Sequence, residues 1–131
     1  MRVMVDSNVV VSAVAFRSAR MGELIERICD RYELCVASCC MEEVRDVMAA
    51  KFKDASAGLD EFFGDVPYTL IETPEAVGPP LFPIRDSDDY PILYTAVIGQ
   101  VDVFVTGDKD FFDVRIDRPE ILSPAGFLAK Y

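Results

Sequence analysis

Short apolar runs alternate with helical periodicity along this chain, and that alternation restricts the fold more than any other feature. Arg2–Val5, Glu33–Ala37, Tyr68–Ile71, Val103–Val105 and a segment near Glu120–Leu122 read as short strands. Helical segments fall between them. Met21, Leu24, Ile25, Ile28 and Tyr32 recur at helical spacing and predict a helix over about 19–31. Ser38 is placed to cap a helix over about 39–50 that buries Cys40, Val44, Val47 and Met48. Ser7 or Asn8 can cap a helix in the Val9–Val14 run. Another helical segment surrounds Gly58–Phe63, one begins at Asp88 and reaches about Gly99, and Ser123-Pro124 opens a terminal helix. Strands this short and apolar, alternating with helices, specify an α/β fold with a parallel sheet covered on both faces. Residues 73–85 hold four prolines and a glycine and read as a crossover loop rather than a domain boundary. One domain over 1–131 is expected.

The chain is 51% hydrophobic, enough for a globular core. It has no apolar stretch near the roughly 18 residues that span a bilayer, so no membrane association is expected. The N-terminal run meets Asp6 too early for a signal-peptide core, which makes the cytoplasm the expected location. Cys29, Cys35, Cys39 and Cys40 match no zinc spacing, and with no histidine in the chain they read as small buried hydrophobes. A net charge of −10 argues against a broad basic surface for nucleic acid and suits a basic protein partner.

Ligands of open parallel sheets bind beyond the carboxyl ends of the strands, and Asp6 and Asp108 lie just past two such ends. Asn8 is placed either to hold a carboxylate or metal-bound water or to cap the following helix. Glu43 stands at the border of the Cys40/Val44/Val47 stripe, whereas Glu42 points away. Asp89, Ile92 and Ala96 are spaced i, i+3, i+7, so Asp89 rather than Asp88 shares the buried face of its helix, and Asp86 falls in the crossover. A buried carboxylate is costly unless paired or metal-bound. In Thr106-Gly107-Asp108-Lys109-Asp110 the threonine hydroxyl can orient a carboxylate, with Asp110 a weaker ligand candidate and Asp113 weaker still. Each acid taken singly also fits a helix cap or an acidic turn. Taken together, Asp6, Glu43, Asp89 and Asp108 point to a hard-metal site, Mg²⁺ or Mn²⁺. Two like charges about 4 Å apart repel by roughly 4 kcal/mol at an effective dielectric near 20, so several carboxylates in one pocket call for a neutralising cation.

Val5-Asp6-Ser7-Asn8-Val9, Glu43-Val44, Arg85-Asp86-Ser87-Asp88-Asp89 with Ala96, and Thr106-Gly107-Asp108-Lys109-Asp110-Phe111 together resemble a PIN-domain protein, nearest to the VapC-like ribonuclease toxins. The resemblance runs from residue 3 to about residue 128. It implies a five-stranded parallel sheet in the order 3-2-1-4-5 and a Mg²⁺- or Mn²⁺-dependent endoribonuclease. Its acids would be Asp6, Glu43, Asp89 and Asp108, with Asp110 as a possible fifth and Asn8 and Thr106 in support. It further implies an RNA substrate, a small antitoxin that brings basic residues to the acidic pocket, and possible homodimerisation. The chemistry expected is metal-assisted phosphodiester hydrolysis with no side-chain nucleophile. Arg17, Arg20, Arg45, Lys51 and Lys53 are the cations available to guide a phosphate backbone.

Two other readings compete. A haloacid-dehalogenase-like or receiver-like phosphoryl-transfer domain also places an aspartate after its first strand, but the former needs a second aspartate where this chain has Asn8. A non-catalytic PIN-like binding module would retain the fold without the reaction.

Overall fold

The computed structural model describes residues 1–75, 81–83 and 87–131, which leaves Asp86, Arg85 and most of the proline-rich crossover outside the described residues. Five strands form one sheet: β1 (Arg2–Val5), β2 (Glu33–Ala37), β3 (Thr69–Ile71), β4 (Val103–Val105) and β5 (Glu120–Leu122). Their order is β3-β2-β1-β4-β5, and every neighbouring pair runs parallel. The six α-helices among the described residues are α1 (Ser7–Val14), α2 (Ala19–Arg31), α3 (Ser38–Lys51), α4 (Ser56–Asp65), α5 (Tyr90–Ile98) and α6 (Pro124–Lys130).

Successive side chains of a strand point to opposite faces. Val3, Met4 and Val5, then Leu34 to Ala37, then Val103 to Val105 are all buried, so both faces of the three central strands are covered. The chain steps outward from β1 to β3, then returns to pair β4 with β1. Strand order therefore reverses between β1 and β4, where α/β folds open a crevice at the carboxyl edge.

The helix ends differ from expectation in three informative places. Asp6, not Ser7 or Asn8, caps α1, accepting the Ser7 N–H at 2.7 Å. Ser38 is the first residue of α3 rather than its cap; its hydroxyl accepts the Thr73 N–H at 2.8 Å and ties the exit of β3 to α3. Asp89 ends a 3₁₀ turn (Ser87–Asp89), and α5 starts only at Tyr90. Pro91 follows at the second helical position, where its missing N–H costs nothing.

At the C-terminal side, α6 packs on α2. Arg27 donates to the Leu128 carbonyl at 2.7 Å and Arg31 to that of Tyr131 at 3.0 Å, which satisfies carbonyls that a helix end leaves without partners. No helix among the described residues is long and apolar enough to cross a membrane. The four cysteines are free: Cys35 and Cys40 are buried, Cys29 and Cys39 half-buried.

Candidate metal centre at the carboxyl edge of the sheet

β1 and β4 deliver the centre of the site. The Asp6 N–H donates to Val105 O at 2.9 Å, continuing the β1–β4 ladder and locking Asp6 beside Thr106. Asp6 is 4% exposed. Its Oδ1 accepts from Ser7 N, and its Oδ2 accepts the Thr106 hydroxyl at 2.7 Å and, more loosely, Asn8 Nδ2 at 3.5 Å. Burial pushes the Asp6 carboxyl above its usual range; the Thr106 and Ser7 donors oppose that rise, while the charge of Glu43 adds to it. The Cys40 thiol lies against the same carboxylate, with Sγ 3.9 Å from Oδ1.

Thr106 is fully buried and serves two strand ends at once. Its hydroxyl donates to Asp6 Oδ2 and accepts the Asp108 N–H at 3.0 Å. Asp108 then caps a 3₁₀ turn (Lys109–Asp113), accepting the Asp110 N–H at 3.0 Å. Phe111 anchors that turn, fully buried with its ring edge-on to Phe104 at 5.0 Å. Gly107 lies beside Asn8, its N–H 3.4 Å from Asn8 Oδ1. A Cβ there would meet Asn8 only at ordinary contact distance (3.7 Å).

Asp89, Asp108 and Asp110 come together. Each offers a carboxylate oxygen within 4.8 Å of the other two, and all three residues are half-buried. Asp110, the weaker candidate from sequence, is a full member of this trio. Asp6 and Glu43 are not in it, although Asp6 is linked to Asp108 through Thr106. Glu43 is exposed. The buried stripe of α3 is Cys40, Met41, Val44 and Met48, with Val47 only half-buried, so the apolar face is rotated away from Glu43. Asp89 precedes α5, and the helical spacing that placed it with Ile92 and Ala96 does not extend back to it; the residue is half-buried rather than buried. Asp88 and Asp113 are exposed.

The donor set fits a hard divalent cation. It is all carboxylate oxygen, in a chain without histidine. Two oxygens each about 2.1 Å from a Mg²⁺ ion stand at most about 4.2 Å apart, so the observed spread needs only a small inward shift. Of the cations suggested for a phosphate backbone, Arg17, Arg20, Lys51 and Lys53 are exposed, and Arg45 pairs with Asp60 at 3.3 Å.

An α/β sheet of this order, with carboxylates gathered where β1 meets β4, defines a recognisable class. A family model described as PIN domain matches residues 2–110, and the chain belongs to that family. Its fold is shared by a chain in the crystal structure of VapBC2 from Rickettsia felis bound to a DNA fragment from their promoter. The TM-score is 0.69 at 16% sequence identity, and the match covers 93% of this chain and 97% of that one. No curated protein matches the sequence. Family membership sets aside the phosphatase-like and receiver-like readings.

Proposed function

We propose that this protein is a divalent-metal-dependent endoribonuclease, acting as the toxin of a toxin–antitoxin pair. The observation that carries the reading is the trio Asp89, Asp108 and Asp110, with oxygens within 4.8 Å of one another, linked through Thr106 to buried Asp6 in a PIN-domain chain. Asp89, Asp108 and Asp110 would hold a Mg²⁺ or Mn²⁺ ion, with Asp6 behind them and Glu43 contributing charge from the rim. When bound, the cation supplies Lewis acidity toward a phosphodiester and an activated water.

The chain's own residues set the positions. Thr106 fixes Asp6 Oδ2 and the Asp108 N–H with one hydroxyl, so the ends of β1 and β4 keep a constant separation. Asn8, exposed at the start of α1, spans Asp6 and Gly107 and is available to a substrate phosphate. The antitoxin reading draws on the shared fold of the VapBC2 chain and on the charge of −10, which suits a partner that inserts basic residues among the acids. A one-domain, cytoplasmic protein able to pair with a second copy accords with this role.

The test is cleavage of a mixed RNA pool with Mn²⁺ or Mg²⁺ by wild type and by Asp6→Asn. Wild type should cleave and the variant should not, and chelation should stop the reaction. Equal cleavage by both would assign the activity to a contaminant and end the reading.

A further inference from the structure

The 3₁₀ turn that carries Asp110 also presents a cation and an aromatic ring to solvent. Residues three apart in such a turn eclipse one another. Lys109 and Phe112 therefore share one face, Asp110 and Asp113 the next, and Phe111 the third. Phe111 is buried against Phe104, which fixes the rotation of the turn. With that face inward and Asp110 beside Asp89 and Asp108, Phe112 is left 43% exposed and Lys109 exposed. Among the described residues, no ring packs on Phe112 and no carboxylate pairs with Lys109. At about 2 Å of rise per residue, Phe112 stands about 4 Å along the turn axis from Asp110 and on the neighbouring face, so both residues belong to the same short turn at this edge of the sheet.

We propose that Lys109 and Phe112 form a subsite for one unpaired base and its flanking phosphate of a single-stranded RNA, adjoining the phosphodiester held at the acidic cluster. The proposal rests on the endoribonuclease reading and adds what that reading lacks. A chain at −10 has little general attraction for a polyanion, so local contacts must seat the strand. An aromatic face takes any base by stacking, and a neighbouring ammonium takes the phosphate. A paired base cannot offer its face, so the subsite selects single strands.

The chain contains no tryptophan, so Phe112→Trp creates a sole indole reporter. With Ca²⁺ replacing Mg²⁺ to slow cleavage, an unlabelled single-stranded oligoribonucleotide should quench its emission. The midpoint should match that of anisotropy with a labelled copy. Phe16→Trp, at a side chain 65% exposed just beyond α1, should show no quenching. Phe112→Ala should raise KM about 10-fold with kcat nearly unchanged. Lys109→Ala should lower the slope of log affinity against log salt by about 0.7. RNA binding by anisotropy with unchanged indole emission, or a wild-type KM in Phe112→Ala, would overturn the subsite and leave the ribonuclease standing. Equal quenching by a duplex would overturn its single-strand character. Failure of the wild-type protein to bind or cleave any RNA would overturn both.

Discussion

Asp108→Asn should stabilise the metal-free protein and blunt its response to Mn²⁺, so the sign of its effect reverses with the cation. Two ionised carboxylates at 4.8 Å, the widest spacing within this trio's bound, repel by about 0.9 kcal/mol at the dielectric of water and about 3.5 kcal/mol at an effective value near 20. Asp108 takes part in two such pairs, with Asp89 and Asp110. All three are half-buried, which places the relief nearer the lower end, about 2 kcal/mol in total. Asparagine keeps an Oδ1 acceptor for the Asp110 N–H and ranks with aspartate as a cap, so little else is lost. In a domain of this size 2 kcal/mol raises Tm by about 6–8 °C. Against this, Mn²⁺ at 100 times its Kd stabilises the wild type by about 2.7 kcal/mol, or about 10 °C. The variant, short of one anionic ligand, should gain less than half of that. Differential scanning fluorimetry in EDTA and across a Mn²⁺ series reads both arms. A variant that melts below wild type in EDTA and shows the full Mn²⁺ shift would refute the shared cation site.

Three further outcomes follow from single contacts. Thr106→Val removes the donor to Asp6 and the acceptor for Asp108, and should raise the Mn²⁺ concentration giving half-maximal cleavage by about 10–100-fold, measured by metal titration of activity. Asp102, held below its usual range by the Arg2 N–H and by Arg118, and Glu120, held below its own by Lys130 and Tyr131, bind protons less readily folded than unfolded. Their stabilisation is present above the ordinary carboxylate range and is lost as pH falls through it, so Tm should drop below about pH 4.5, and Asp102→Asn should flatten that limb in a pH series. Gly99→Ala and Gly64→Ala should differ in sign in urea melts. A Cβ on Gly99 would stand 2.8 Å from Ile71 and 3.0 Å from the Thr95 carbonyl, costing about 1–3 kcal/mol, while at Gly64 it meets nothing within 4 Å and gains about 0.5–1 kcal/mol of helix propensity.

Strand spans and most helix spans were legible because each strand is a short apolar run with a polar stop, whereas the sheet order came only from the resemblance to PIN-domain proteins. Asp6 and Thr106 could be placed for the same reason: each directly follows a strand. Asp89 could not be positioned by periodicity, since it ends a 3₁₀ turn and α5 starts only at Tyr90, which breaks the 100° step. Glu43 stands exposed, farther from the buried stripe than its spacing suggested, because Met41 joins that stripe and rotates it, which only packing decides. Asp110 was undervalued because its approach to Asp89 is a long-range fact; the local signal was Phe111, whose burial turns the neighbouring acid inward.

The family pattern stops at residue 110, yet what lies beyond it is bolted to the working end of the molecule. Leu122 accepts the backbone N–H of Thr106 at 3.0 Å, and two arginines of α2 clasp the final helix by its carbonyls. A version trimmed to the recognisable motif would bare the rim of β4 and loosen the residue that spaces the acids. The smallest piece that holds these acids in place is thus longer than the stretch that the family pattern matches.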